Sequence, residues 1–198
     1  MSTTQTKTRQ PISGANILAA QELIQREITE VLQAVDPEQV AEVARLVRTA
    51  GRVFVAGAGR SGLALRMAAM RLMHLGMDVH VVGDTTTPAI TSSDILLVAS
   101  GSGTTAGVVR NAQTAAQLGA SIAGITTDSQ SPLALLANAV IEVPAARKTD
   151  HGSAVSAQYS GSLFEQALLL ITESLFHSLW DTVEASAEEL WLRHANLE

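Results

Sequence analysis

Two short loops and one carboxylate hold the residue types that could do chemistry in this chain. From Ser100 the sequence reads Ser-Gly-Ser-Gly-Thr-Thr, ending at Thr105. Gly101 and Gly103 let the backbone turn tightly and approach a ligand, while Ser100, Ser102, Thr104 and Thr105 add hydroxyl donors beside the N–H groups of a following helix. Amides and helix dipole both favour negative charge, so the stretch reads as an anion cradle, with phosphate as the anion that fits best. It lacks Lys and does not match G-x-x-x-x-G-K-[ST]. That argues against a triphosphate carrying Mg²⁺ and for a phosphate monoester held by neutral donors. The plainer reading is an ordinary turn whose hydroxyls cap a helix.

The second loop is Gly57-Ala58-Gly59-Arg60-Ser61-Gly62. Its G-x-G-x-x-G spacing matches the dinucleotide fingerprint, and Asp84 lies near the distance at which a ribose-binding carboxylate is sought. The hydroxyl-rich loop at 100–105 weighs the other way, because a dinucleotide site does not need it and a sugar phosphate does. Glu165 follows Ser162 at capping-box spacing, so on spacing alone it closes a helix N-terminus, although the same position could aim a base into a cleft. Glu173 and His177 are four apart on one helix face, but no third metal ligand accompanies them, and a local pair or solvated face is the simpler account. His74, among Met67, Met70 and Met73, reads as a hydrogen-bonded core histidine, and His80 as a residue at the exposed side or end of a strand. His194 is by default a solvated tail residue, unless a neighbouring subunit receives it.

Those groups need a scaffold, and the hydrophobic pattern supplies one. Short apolar runs at Val53–Ala56, Val79–Val82, Ile95–Ala99, Ser121–Ile125 and Ala139–Val143 read as strands, the third of them buried on both faces. Helices are expected from Ala15 to Val35, from Pro37 behind an Asp36 N-cap to Thr49, from Ser61 to Leu75, from Thr104 to Leu118, from Ser162 to Trp180 and from about Val183, with a short one at Pro132. Strands alternating with helices at this spacing indicate βαβ units, hence an α/β fold: a doubly wound, flavodoxin-like parallel sheet of five strands with helices on both faces. In such sheets ligands bind at the carboxyl ends of the strands beside the switch point, where the loops after the first and third strands lie together. The two Gly loops are therefore expected to build one site. Residues 1–14 read as a mobile arm and 15–198 as a single domain, with the polar connection from Pro144 to Tyr159, carrying Arg147, Lys148, Asp150 and His151, as a candidate lid.

Composition narrows the function. The chain has 198 residues, enough for a core without staples, and no apolar run approaches a membrane span or a signal peptide. A cytoplasmic protein is expected. With no Cys, disulfides, Cys-ligated zinc and thiol catalysis are excluded. A formal charge of -6, lysines only at Lys7 and Lys148, and few aromatics argue against a nucleic-acid surface.

Taken together, Gly57–Gly62, the Ala-Met-Arg-Leu-Met-His-Leu-Gly run at 69–76, Ser100–Thr105, Gly-Ser-Leu-Phe-Glu-Gln at 161–166 and His-Ala-Asn-Leu-Glu at 194–198 resemble a sugar isomerase (SIS) domain, and within it the 6-phospho-3-hexuloisomerases. Thr104 departs from the Glu that SIS loops often carry there, which leaves the hydroxyl donors intact. The resemblance implies interconversion of D-arabino-hex-3-ulose 6-phosphate and D-fructose 6-phosphate in the ribulose monophosphate route of formaldehyde fixation, with no cofactor and no metal. It reverses the preference at Glu165, making it the base, with His194 and then Arg60 as candidates to serve the substrate oxygens. It assigns the phosphate to Ser100, Gly101, Ser102, Gly103 and Thr105 and the sugar hydroxyls to Ser61 and the backbone near Gly59. It further implies a homotetramer with sites near subunit interfaces and a hexulose-phosphate synthase as pathway neighbour. A sugar-phosphate sensor and another SIS aldose–ketose isomerase are the rival readings. Against the sensor, the N-terminal extension is short for a DNA-binding domain.

Overall fold

Alternating apolar strands and amphipathic helices assemble as the pattern requires. The computed structural model describes residues 12–146 and 156–197; expectations for the arm at 1–11 and for 147–155, with Arg147, Lys148, Asp150 and His151, lie outside them. The elements are α1 (Gly14–Ala34), α2 (Pro37–Thr49), β1 (Val53–Gly57), α3 (Gly59–His74), β2 (Val79–Val81), β3 (Ile95–Ala99), α4 (Ala106–Gln117), β4 (Ser121–Thr126), a 3₁₀ turn (Ala134–Leu136), β5 (Ala139–Glu142), α5 (Ser162–Trp180) and α6 (Ala187–Trp191). The five strands are all parallel in the order β2-β1-β3-β4-β5, the flavodoxin-like arrangement, so β1 and β3 are neighbours and their C-terminal loops open side by side.

The two faces of the sheet are unequal. Val53, Val55, Ile95 and Leu97 point into a core shared with α1, α2, α3 and α5. Phe54, Leu96, Val98 and Ile122 point the other way, where α4 and Leu133 are the cover. No helix bridges β2 to β3, so the Pro88 segment is loop, as expected.

The structure departs from the sequence reading at several points. The Pro132 helix is a single 3₁₀ turn, and the last helix begins only at Ala187, behind a capping box of Ser186 and Glu189. On α3 the buried face is Ala64, Leu65, Ala68, Ala69 and Leu72, leaving Leu63, Met67 and Met70 more than half exposed as a stripe at i, i+4 and i+7. The methionines around His74 are thus outside the core.

At the end of the sheet away from the Gly loops, a buried ion pair holds the segment before β3. Asp94 accepts from Arg52 Nη2 at 2.7 Å and Nε at 3.1 Å, and from the Thr91 N–H at 2.7 Å and hydroxyl at 2.8 Å. The Arg52 hydrogen bonds, opposed by burial and helped by Thr91, hold its carboxyl down to about 2. A depressed carboxylate stabilises the fold above the unfolded-state pKa near 4 and loses that contribution as pH falls toward 2. Denaturant midpoints measured from pH 6 to 2.5 should therefore fall steeply below about pH 4. Asp94→Asn should cost roughly 1–2 kcal/mol at neutral pH, screened on its Arg52 side, and flatten the acid limb.

Candidate active site

Three helix N-termini converge on one cleft of about 340 Å³, a size that holds small ligands. Ala58, Gly59 and Ser61 come from the start of α3, Ser102, Thr104 and Thr105 from the start of α4, and Gly161 and Phe164 from the start of α5. None of these three helices has a side-chain cap, whereas α1, α2 and α6 are capped by Ser13, Asp36 and Ser186. No side chain at these three starts takes up the first-turn N–H groups, although the Ser162 N–H donates to the Tyr159 carbonyl at 3.0 Å, and three positive dipole ends meet there.

The Ser-Gly loop is braced from several sides. Ser100 and Thr105 hydroxyls lie 2.9 Å apart, Thr104 Oγ1 donates to Ser102 Oγ at 2.9 Å, and the Gly103 N–H donates to the Ser100 carbonyl at 2.9 Å. Beneath the loop, the Gly101 carbonyl accepts from the Thr127 N–H at 3.0 Å and its hydroxyl at 2.7 Å. The chain's own hydrogen bonds thus fix the shape of the loop. On the β1 side, a Cβ on Gly62 would meet the Gly57 carbonyl oxygen at 2.6 Å, so strand and helix touch backbone to backbone. Close packing therefore accounts for these two fingerprint glycines. Asp84, the carboxylate a dinucleotide would need, instead accepts from Arg66 at 2.7 Å.

Glu165 is buried, with a side chain 5% exposed, and its Oε2 lies 3.0 Å from Arg60 Nε. Arg60 also donates to Ser162 Oγ at 3.1 Å, tying the first turn of α3 to that of α5. The capping-box reading of Ser162 and Glu165 does not hold. Gly161, at φ 83, is the N-cap, which moves Ser162 into the first helical position and turns the Glu165 carboxylate toward α3. Sequence reasoning missed Ala146, Gly161 and Phe164 as walls. Gly161 had a signal in its Gly-Ser junction, but Ala146 and Phe164 look like ordinary core residues.

His194 lies elsewhere. In its own chain it packs on His74 at 4.0 Å between centroids, at the C-terminal end of α3, and on Trp191 at 4.6 Å. Gly59 and His74 bound a 16-residue helix, so the cleft is about 20 Å away. Burial first, then the charges of His194, Arg71 and Arg193, push His74 below the ordinary histidine range. Glu173 meets Arg71 at 3.4 Å and His177 packs on Trp180, in keeping with a local cluster; among the described residues no three His, Cys, Asp or Glu side chains gather for a metal.

A parallel sheet in this order, with a hydroxyl-rich loop at its C-terminal edge and a buried carboxylate in the first turn of α5, defines an α/β domain with a cleft suited to a small anionic ligand, and comparison with known proteins gives its family. The SIS domain model matches residues 46–170, and the chain belongs to the SIS domain family. More particularly, it is 63% identical over 187 residues to the 3-hexulose-6-phosphate isomerase of Mycobacterium gastri, covering 94% of each chain. It is 36% identical to the enzyme of that name from Bacillus subtilis, covering 81% of this chain and 88% of that one. A solved Methanococcus jannaschii structure, from which a 3-hexulose-6-phosphate isomerase function was inferred, superposes with a TM-score of 0.78 at 25% identity, covering 91% of this chain and 99% of that one.

Proposed function

We propose that this chain is an isomerase interconverting D-arabino-hex-3-ulose 6-phosphate and D-fructose 6-phosphate through a 2,3-enediol, the second step of formaldehyde fixation by the ribulose monophosphate route. The observation that carries this reading is the hydroxyl-lined cleft, with Arg60 between its wall residues Gly59 and Ser61 and Glu165 next to its wall residue Phe164, although neither charged side chain is itself a wall, alongside the extensive identity to isomerases of that name. The phosphate rests on Ser100, Ser102, Thr105 and the amides around Gly101 and Gly103. Ser61 and the Gly59 backbone meet sugar hydroxyls. Glu165 removes the C2 proton, the C2–H electrons form the C2=C3 bond, and O3 takes up a proton. O2 then gives up its proton as the C2 carbonyl forms, and Glu165 returns a proton to C3. The reaction is redox-neutral within the substrate. Arg60 bridges Glu165 and Ser162, and its half-exposed guanidinium can turn to the enediolate oxygens.

The test is proton exchange. Fructose 6-phosphate incubated with the protein in deuterated water should gain deuterium at C3 and yield some 3-hexulose phosphate. Deuterium at C1 would mean an aldose–ketose isomerase working through a 1,2-enediol. Binding without exchange would mean a sensor.

His194 can serve the substrate oxygens only if another copy of the chain brings it, and the exposed Leu63, Met67 and Met70 stripe supports an oligomer, for which we propose a tetramer. A mixing experiment decides the point. If Glu165→Gln and His194→Ala are each inactive and the site is shared, reassembling the two together should restore turnover, because some sites then combine an intact Glu165 with an intact His194. No recovery after verified subunit exchange would remove His194 from the neighbour's site. The reading places the enzyme in the cytoplasm beside a hexulose-phosphate synthase, and no described helix is long and apolar enough to cross a membrane.

A further inference from the structure

Besides Glu165 and Asp94, a third carboxylate is buried, and it is not one of the cleft walls. Glu27 sits on α1, 9% exposed, with both oxygens engaged by the segment that leads into α5. The Ala157 N–H donates to Oε1 at 2.8 Å, while the Ser156 hydroxyl at 2.7 Å and the Gln158 amide at 3.0 Å donate to Oε2. Ser156 Oγ in turn accepts from the Gln158 N–H at 3.0 Å, closing the knot. Gln158 then passes the contact on, since its Oε1 accepts from Gln166 Nε2 at 2.9 Å. Gln166 is the residue after Glu165 in the first two turns of α5. Burial alone would raise the Glu27 carboxyl, but the donors from Ala157, Ser156 and Gln158 together outweigh it and hold it below the ordinary value, so the knot closes on a carboxylate.

We infer that Glu27 is a positioning residue: its clamp on Ser156, Ala157 and Gln158, relayed through Gln166, sets where the first turn of α5 presents Glu165. The inference rests on the isomerase reading above. A base must be held to about half an ångström, and a misplacement of about 1 Å can cost ~100-fold in rate. No part of the clamp lines the cleft, so losing it should act on the chemical step and spare the phosphate cradle.

The test uses Glu27→Gln, which keeps the size but replaces two acceptor oxygens by one and turns an NH₂ against existing donors. Expected is a fall in kcat of at least about tenfold with KM within about threefold. Gln158→Met, which cuts the relay at its middle, should cost a similar factor, and the two losses should not add, as for residues on one relay. A merely structural role would lower the melting temperature and leave kcat unchanged in the folded protein, and that result overturns the inference. Hydrogen exchange over residues 156–166, read on the same samples, should rise in both variants, and unchanged exchange overturns it too. An inactive wild type sinks the isomerase reading instead, and the exchange measurement still judges the clamp.

Discussion

Replacing Glu165 by Gln should lower kcat by roughly two to four orders of magnitude while leaving the fold and KM nearly unchanged, the range expected when a positioned general base is lost. The substitution preserves the buried volume, and the helix start depends on the Glu165 N–H, which donates to the Gly161 carbonyl at 3.2 Å in either case. Arg60 Nε, now 3.0 Å from a carboxylate oxygen, would face an amide oxygen that still accepts. What the amide cannot do is take the C2 proton. The proposed phosphate cradle lies between β3 and α4, so binding should survive, and loss confined to the transition state shows in kcat with KM unmoved. Deuterium exchange into C3 should vanish with turnover. Turnover within tenfold of the wild type, in protein with an unchanged melting curve, would mean another group removes the proton.

Much of this was local enough to read from the chain. Asp36 before Pro37 states a helix start in two residues, and the structure begins α2 there with Asp36 accepting from the Glu38 N–H at 2.9 Å. The Ile95–Ala99 run is apolar at every position because both of its faces are covered, which fixed it as a central strand and put the Ser-Gly loop at the sheet's carboxyl edge. Other features were hidden by degeneracy of pattern. Ser-x-x-Glu looks alike whether the Ser is the cap or the first helical residue, so the spacing at 162–165 suits a capping box that the structure does not form, although α5 does begin at Ser162 as expected, and the real capping box is that of Ser186 and Glu189. Apolar spacing on α3 shows that a stripe exists, not whether the chain's own core covers it, and so the exposure of Met67 and Met70 was not foreseen. Glu27 is a charge on an amphipathic helix and reads as solvated, because its partners come from residues about 130 positions later. The pairing of Arg60 with α5 is equally long-range, and only the fold brings it about.

The second large effect is expected at Gly103, where one added methyl should deform the loop proposed to hold the phosphate. Gly103 adopts φ +63, the left-handed region that L side chains occupy at a cost of roughly 1–2 kcal/mol. Its surroundings add a second penalty. A Cβ there would collide with the Ser131 side chain and come within 3.0 Å of Thr126 Oγ1. Ser131 is buried, 2% exposed, and its hydroxyl accepts from the Ala134 N–H at 3.3 Å, so it has little freedom to retreat. The loop would have to lift instead. That breaks the bonds that shape it, from the Gly103 N–H to the Ser100 carbonyl at 2.9 Å and from the Leu133 N–H to the Gly103 carbonyl at 3.0 Å. Gly103→Ala should therefore reduce kcat/KM by about 100-fold or more, chiefly through KM, since the anchoring phosphate is the group that loses its donors. Adding Ser131→Gly separates the two penalties: it removes the collision but not the left-handed strain, so the double variant should regain most of the lost kcat/KM and keep a modest loss of stability. If the double variant is as impaired as Gly103→Ala, backbone conformation rather than crowding is the cause. If Gly103→Ala alone binds and turns over as the wild type does, the loop does not carry the phosphate.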